Sequence, residues 1–233
     1  MVNGGAARGG RRPPIPRKQA VKKRPEPPRP VERPVEVGPL VLGVIPGATP
    51  GKWVDAWKER LSRAPLDLVP LAVADQRRAL VDGDVDAAIV RLPIDEDRLS
   101  IIRLYDEVPV AVVSIDSHLT AAEDLGLDDL GGEVVITPHD DVLAIEVPGA
   151  VAPRFPAPET TGDAIETVAA GVGVVIVPMS LARAHARKDV EYRVLRDTPG
   201  STVALAWVTE RTTPAVEAFI GIVRGRTANS SRR

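Results

Sequence analysis

The 233-residue chain has no cysteine, and only 3% of its residues are aromatic. The first absence excludes disulfides, thiolate metal ligands and a cysteine nucleophile together. The second means that any core must be built from Val, Ile, Leu and Ala. No apolar run approaches the ~20 residues needed to span a bilayer. The basic N-terminus is not followed by the apolar stretch of a signal peptide, so the chain is expected in the cytoplasm and away from membranes. Catalytic signatures are missing as well: G-x-S-x-G, H-E-x-x-H and S-x-x-K do not occur, and Ser180 follows an expected strand with no base near it in sequence. Neither an enzyme activity nor a cofactor is expected.

A metal site is not expected either. Asp82, Asp84 and Asp86 alternate as in a calcium loop, but Ala87 stands where that loop needs glycine and Pro93 where it needs its last carboxylate. Asp82 and Asp84 are read as turn residues, with Asp86 fixing the entrance to a strand. His139-Asp140-Asp141 reads as a polar loop after a strand, and His118 and His185 have no matched partners.

Charge is unevenly spread. Residues 1–37 hold ten Lys/Arg, three Glu and eight of the 23 prolines, a net +7 that leaves the remainder near −9. Proline at that density forbids helices and ladders, and little apolar surface is there to bury, so a disordered basic segment is expected. It would either touch nucleic acid weakly and non-specifically or act as a solubilising tail. Residues 226–233 are expected to fray.

From residue 38 the pattern alternates. PLVLGVI (39–45), LDLVPLAV (66–73) and DVDAAIVR (84–91) read as strands. They are separated by a helix carrying Trp53, Trp57 and Leu61 and by a short helix at ADQRRALVDG, an order that implies a parallel sheet. IIRLYDEVPVAVVS (101–114) is one long extended piece. EVVIT, EYRVL and TVALAWVT (202–209) are further strands, SLARAHARK a helix, and a last helix from Pro214 to Arg224 turns Val216, Phe219, Ile220 and Val223 inward.

The segment AAGVGVVIVP (169–178) contains a G-x-G beside an apolar run. A phosphate-binding fingerprint runs strand, glycines, helix, so that a helix N-terminus meets the anion. Here a helical stripe of Ile165, Val168 and Ala169 comes first, Gly171 ends it, and the strand Val174–Val177 follows. Phosphate binding is not the role of these glycines.

Four stretches together resemble the effector-binding domain of LysR-type transcriptional regulators: PLVLGVIPG, ALVDGDVDAAIV with Leu80, Gly83, Asp86 and Ile89 in register, RLYDEVPVAVVSIDSHL, and AAGVGVVIVP. The resemblance spans nearly all of 40–224. It implies an α/β fold of the type II periplasmic-binding-protein kind, two lobes joined by two crossover strands. Lobe I would comprise about 38–112 plus 203–225, and lobe II about 113–202, with crossings at Val108–Ser114 and Thr202–Thr209.

Two departures from the family's pattern stand out. Residues 1–37 occupy the place of the family's winged helix-turn-helix, and between EVVIT and the helix GDAIETVAAG five prolines leave little room for the further helix and strand the family has there.

The resemblance implies a small organic, anionic effector held between the lobes. From lobe I, Gly47, Ala48 and Thr49 at the start of the first helix, Gln76 and Arg91 would line the cleft. Thr49 reads equally as a turn or N-cap residue. From lobe II, Thr137, Pro138, His139, Thr160 and Thr161 would face it. Three readings stay open: a sensor domain acting in transcription through a second copy or a regulatory partner, a stand-alone solute binder or remnant without output, and an enzyme on the same fold.

Overall fold

The computed structural model describes residues 37–225, so the expectations for 1–36 and 226–233 lie outside the described residues. Two five-stranded sheets follow one another along the chain. The first lobe begins with β1 (Leu40–Val44), α1 (Gly51–Arg60), β2 (Leu66–Pro70), α2 (Gln76–Asp82), β3 (Ala87–Arg91) and β4 (Leu99–Glu107). The second contains β5 (Pro109–Ser114), β6 (Asp124–Leu125), β7 (Val135–Ile136), α3 (Thr161–Ala169), β8 (Val174–Pro178), α4 (Met179–Ala184) and β9 (Val190–Leu195). The chain then returns to the first sheet with β10 (Ser201–Val208) and closes with α5 (Pro214–Val223).

The first sheet has the order β2-β1-β3-β10-β4. β1 pairs parallel with β2 and β3, as expected. β10 runs antiparallel to β3 and β4, so the sheet is mixed, because the strand that completes it enters from the other lobe. Side chains alternate between two buried faces. Leu40 and Leu42, Ala87 and Ile89, and Val203, Leu205 and Trp207 meet α1 and α5, where Trp57 and Phe219 lie 6.1 Å apart between ring centres. Ala88, Val90, Ala204, Ala206 and Val208 meet Ala79 and Leu80 of α2. Burial on both faces is why these strands read as continuous apolar runs.

The second sheet, β6-β9-β5-β8-β7, repeats the arrangement with less helix. Val110, Val112, Val175 and Val177 pack on Ala164, Ile165 and Val168 of α3 and on Leu181 and Ala182 of α4. The opposite face is covered by Leu119, Leu125 and Leu130, with Leu143, Ile145 and Val147 of the proline-rich segment. That segment, 138–160, forms no helix, and its one ladder contact is the bridge between Val134 and Val151. An irregular loop thus covers the sheet where a helix was crowded out by proline.

The crossings lie elsewhere than expected. β5 sits wholly in the second sheet and β10 wholly in the first, so the chain changes lobes at Val108 and again between Leu195 and Ser201. The extended piece 101–114 is two strands broken at Val108, and the boundaries placed at 112 and 202 move to those two points. Apolar extension marks a buried strand but does not reveal to which sheet it belongs.

Gly171 and Gly173 both adopt the left-handed backbone, φ 84° and 62°, just past the end of α3. A side chain at Gly173 would meet the carbonyl of Val134. Helix termination and close strand approach account for the G-x-G.

Candidate functional site

The β1–α1 loop opens at the C-terminal end of β1, where parallel sheets place their ligands. Gly47 has φ 82°, which turns the chain sharply before α1. α1 has no side-chain cap and no acidic residue in its first turn, so the hydroxyl of Thr49 is not used as a cap; the Trp53 amide bonds to the Pro50 carbonyl, and those of Gly51 and Lys52 stay open. Gly47, Ala48 and Thr49 form one wall of a cleft of about 610 Å³. Tyr105, Asp106 and Glu107 at the end of β4 form its floor with Val108, while Met179, Ser180, Arg183 and Ala184 of α4 supply the facing wall. Residues from both lobes therefore line one space.

Under this floor lies a buried polar cluster. Gln76 donates from Nε2 to the carbonyl of Arg91 at 2.8 Å and accepts the Arg91 amide at 2.9 Å, which fixes α2 to the end of β3. The Arg91 guanidinium, 2% exposed, donates through Nε (3.1 Å) and Nη2 to one oxygen of Glu107, 7% exposed. Ser201 donates to that same oxygen at 3.0 Å. The other carboxylate oxygen accepts the hydroxyl of Ser180. Among the described residues, Arg91 Nη1 is the buried side-chain polar atom left without a hydrogen-bond partner. A buried charge pair of this kind persists only when both ions are well satisfied, since desolvation costs several kcal/mol per ion. Tyr105 feels the cluster: burial, then the Glu107 carboxylate, push its hydroxyl above the ordinary tyrosine range, and Arg91 acts in the opposite sense.

The residues singled out from lobe I thus divide. Gly47, Ala48 and Thr49 are at the cleft surface, while Gln76 and Arg91 lie beneath it, joined to each other and to Glu107. Those from lobe II gather around the N-terminus of α3. Thr160 caps that helix in a reciprocal pair with Asp163. Thr161 is buried and donates to Asp140 at 2.9 Å, and the His139 amide donates to the Pro158 carbonyl at 2.9 Å. Pro138 is buried, and Thr137 and His139 are exposed. None of the five lines the 610 Å³ cleft.

Sequence reasoning missed Tyr105, Glu107 and Ser201, and gave Ser180 no partner. Ser180 does have an acidic one, Glu107, 73 residues away in sequence. That carboxylate also holds Arg91 and Ser201, so Ser180 joins the same polar cluster. The signal available was a buried arginine at a strand end, which demands a counter-charge, and an acid in DEVPV between two apolar strands. The acidic loops have structural uses: Asp86 accepts the Val41 amide at 2.8 Å, and Asp141 accepts those of Leu143 and Ala144.

The molecule has clear relatives. A family model described as the LysR substrate binding domain matches residues 35–228. The Hca operon transcriptional activator HcaR of Escherichia coli (strain K12) is 22% identical over 82% of this chain and 68% of its own length. The HTH-type transcriptional regulator CatR of Pseudomonas putida is 33% identical over 59% of this chain and 50% of its own length. In three dimensions the chain is similar to the reduced form of OxyR, with a TM-score of 0.68 and 19% identity over 83% of this chain and 98% of that one. The BenM effector binding domain with its effector benzoate gives a TM-score of 0.67 and 16% identity over 81% of this chain and 91% of that one.

Proposed function

The chain belongs to the LysR substrate-binding-domain family, and from that premise we propose that it is the effector-sensing domain of a transcription regulator, reading a small organic acid in the cleft between its lobes. The observation that carries this reading is the cleft itself. One wall is the β1–α1 loop, with its glycine turn and the uncommitted hydroxyl of Thr49, and the other comes from the second lobe. α1 starts just beyond this loop with its positive dipole end, which favours an anion nearby, and the Thr49 hydroxyl adds a directional contact. A ligand touching both walls binds one lobe arrangement better than another, which is what a sensor requires. Benzoate is the effector in the similar BenM domain, and it makes small carboxylates the class to screen here.

The output would pass through a second copy or a separate regulatory protein. Thr137, Pro138, His139, Thr160 and Thr161 would join the site only in an arrangement that brings the α3 N-terminus to the ligand. The test is a melting-temperature screen against small carboxylates. A ligand that raises the Tm of the chain should lose most of that effect with Thr49→Val. Equal stabilisation of both proteins would remove Thr49 and its wall from the site.

A further inference from the structure

The contact between Glu107 and Ser180 differs from the rest of the polar cluster in joining the two lobes. Glu107 is the last residue of β4, at the first crossing, and it pairs in register with Ser201, the first residue after the second crossing. Arg91 and Ser201 both bind the same oxygen, Oε2, which leaves Oε1 free to accept from Ser180 at the start of α4. Among the described residues, this is the one side-chain hydrogen bond we find between the two lobes. The surroundings are tight. A side-chain carbon at Gly47 would stand 2.6 Å from the Ser180 hydroxyl and 3.1 Å from Leu181, so the β1–α1 loop and α4 are already in contact. The Met179 amide donates to the carbonyl of Val108 at 2.9 Å, which places the serine directly over the crossing.

We propose that Glu107 is an internal latch: its carboxylate, anchored on Arg91, holds Ser180 and keeps the lobes closed in the absence of any effector. The free chain then rests in the closed arrangement, and an effector acts by the difference between its own contacts and this bond. The anchor explains the lopsided use of Arg91. With the guanidinium and Ser201 both on Oε2, Nη1 is idle and Oε1 is given over to the Ser180 hydroxyl. Because the acceptor is ionised, the bond is stronger than one between neutral groups. It also sits at the two crossings, where a small displacement is converted into lobe rotation.

The latch rests on the cleft reading only for its regulatory meaning, and it is tested without ligand. The chain has no cysteine, so Lys58→Cys on α1 and Lys188→Cys beyond α4, both exposed, give two unique spin-label sites. The full chain carrying both labels should give one narrow distance distribution by double electron–electron resonance. Ser180→Ala leaves the Arg91–Glu107 pair intact, which Glu107→Gln would not, and so avoids stranding a buried charge. It should raise the population of a second distance about tenfold or more, and Ser180→Thr should restore the single distribution. A distribution for Ser180→Ala that superimposes on that of the parent, or a threonine variant indistinguishable from the alanine one, overturns the latch. That outcome would leave the effector reading untouched, just as a failed ligand screen would leave the latch standing.

Discussion

Tyr105 reports on the cleft because it lines that space and feels the Arg91–Glu107 pair. Burial and the carboxylate both oppose its ionisation, and Arg91 only partly offsets them. A raised pKa in the folded state means that the folded chain keeps a proton that the unfolded chain surrenders near pH 10. The resulting stability is present below that pH and is lost as pH rises through the folded value. With Tyr192→Phe, Tyr105 is the remaining tyrosine, so its phenolate absorbance can be followed alone. The midpoint should lie above that of the same chain in denaturant. Coincident midpoints would mean that the ring is solvated and the pair beneath it is open.

At the same scale lies the part of the site that sequence could not supply. Thr49 and Gly47 were legible because loop residues between a strand and a helix have a limited set of roles. Gln76, at the start of α2, and Arg91, at the end of β3, were legible as polar residues at element ends, though not as bonded to each other. Their partners were not, since Glu107, Ser180 and Ser201 come from three segments that meet only where the chain changes lobes.

Among the elements, α3 carries the fullest local instructions. Thr160 and Asp163 cap its start reciprocally, Ala164, Ile165 and Val168 face the sheet, and Gly171 ends it. The apolar stripe and the glycine stop were visible in the 3.6-residue period, whereas the cap was not: Thr160 was expected at the cleft. Thr160→Ala should cost about 1 kcal/mol in urea unfolding, the usual worth of an N-cap. A cost near zero would show that the Asp163 carboxylate alone serves the first turn. The strands were legible as apolar runs, but their sheet was not. β5 and β10 are equally apolar, and only tertiary pairing assigns one to each lobe. The loop 138–160 was legible through its prolines, while its use of Leu143, Ile145 and Val147 to cover the second sheet was not.

For the whole molecule, the uneven charge makes a separate prediction. A segment of net +7 ahead of an acidic remainder near −9 should give DNA affinity that is weak, steeply salt-dependent and indifferent to sequence. Anisotropy titrations on promoter and scrambled duplexes at two salt concentrations measure this. Preference for one sequence by a hundredfold, about 2.7 kcal/mol, would contradict a partner-dependent output.

An effector held between the lobes leaves its footprint on both of them. The most direct measurement is amide chemical-shift mapping of the isotope-labelled chain, titrated with the small carboxylate that most raises its Tm. Saturable shifts should concentrate at 47–49, 105–108 and 179–184, on both walls and the floor of the cleft. Saturable shifts elsewhere on the molecule, with those three segments unmoved, would contradict a site between the lobes.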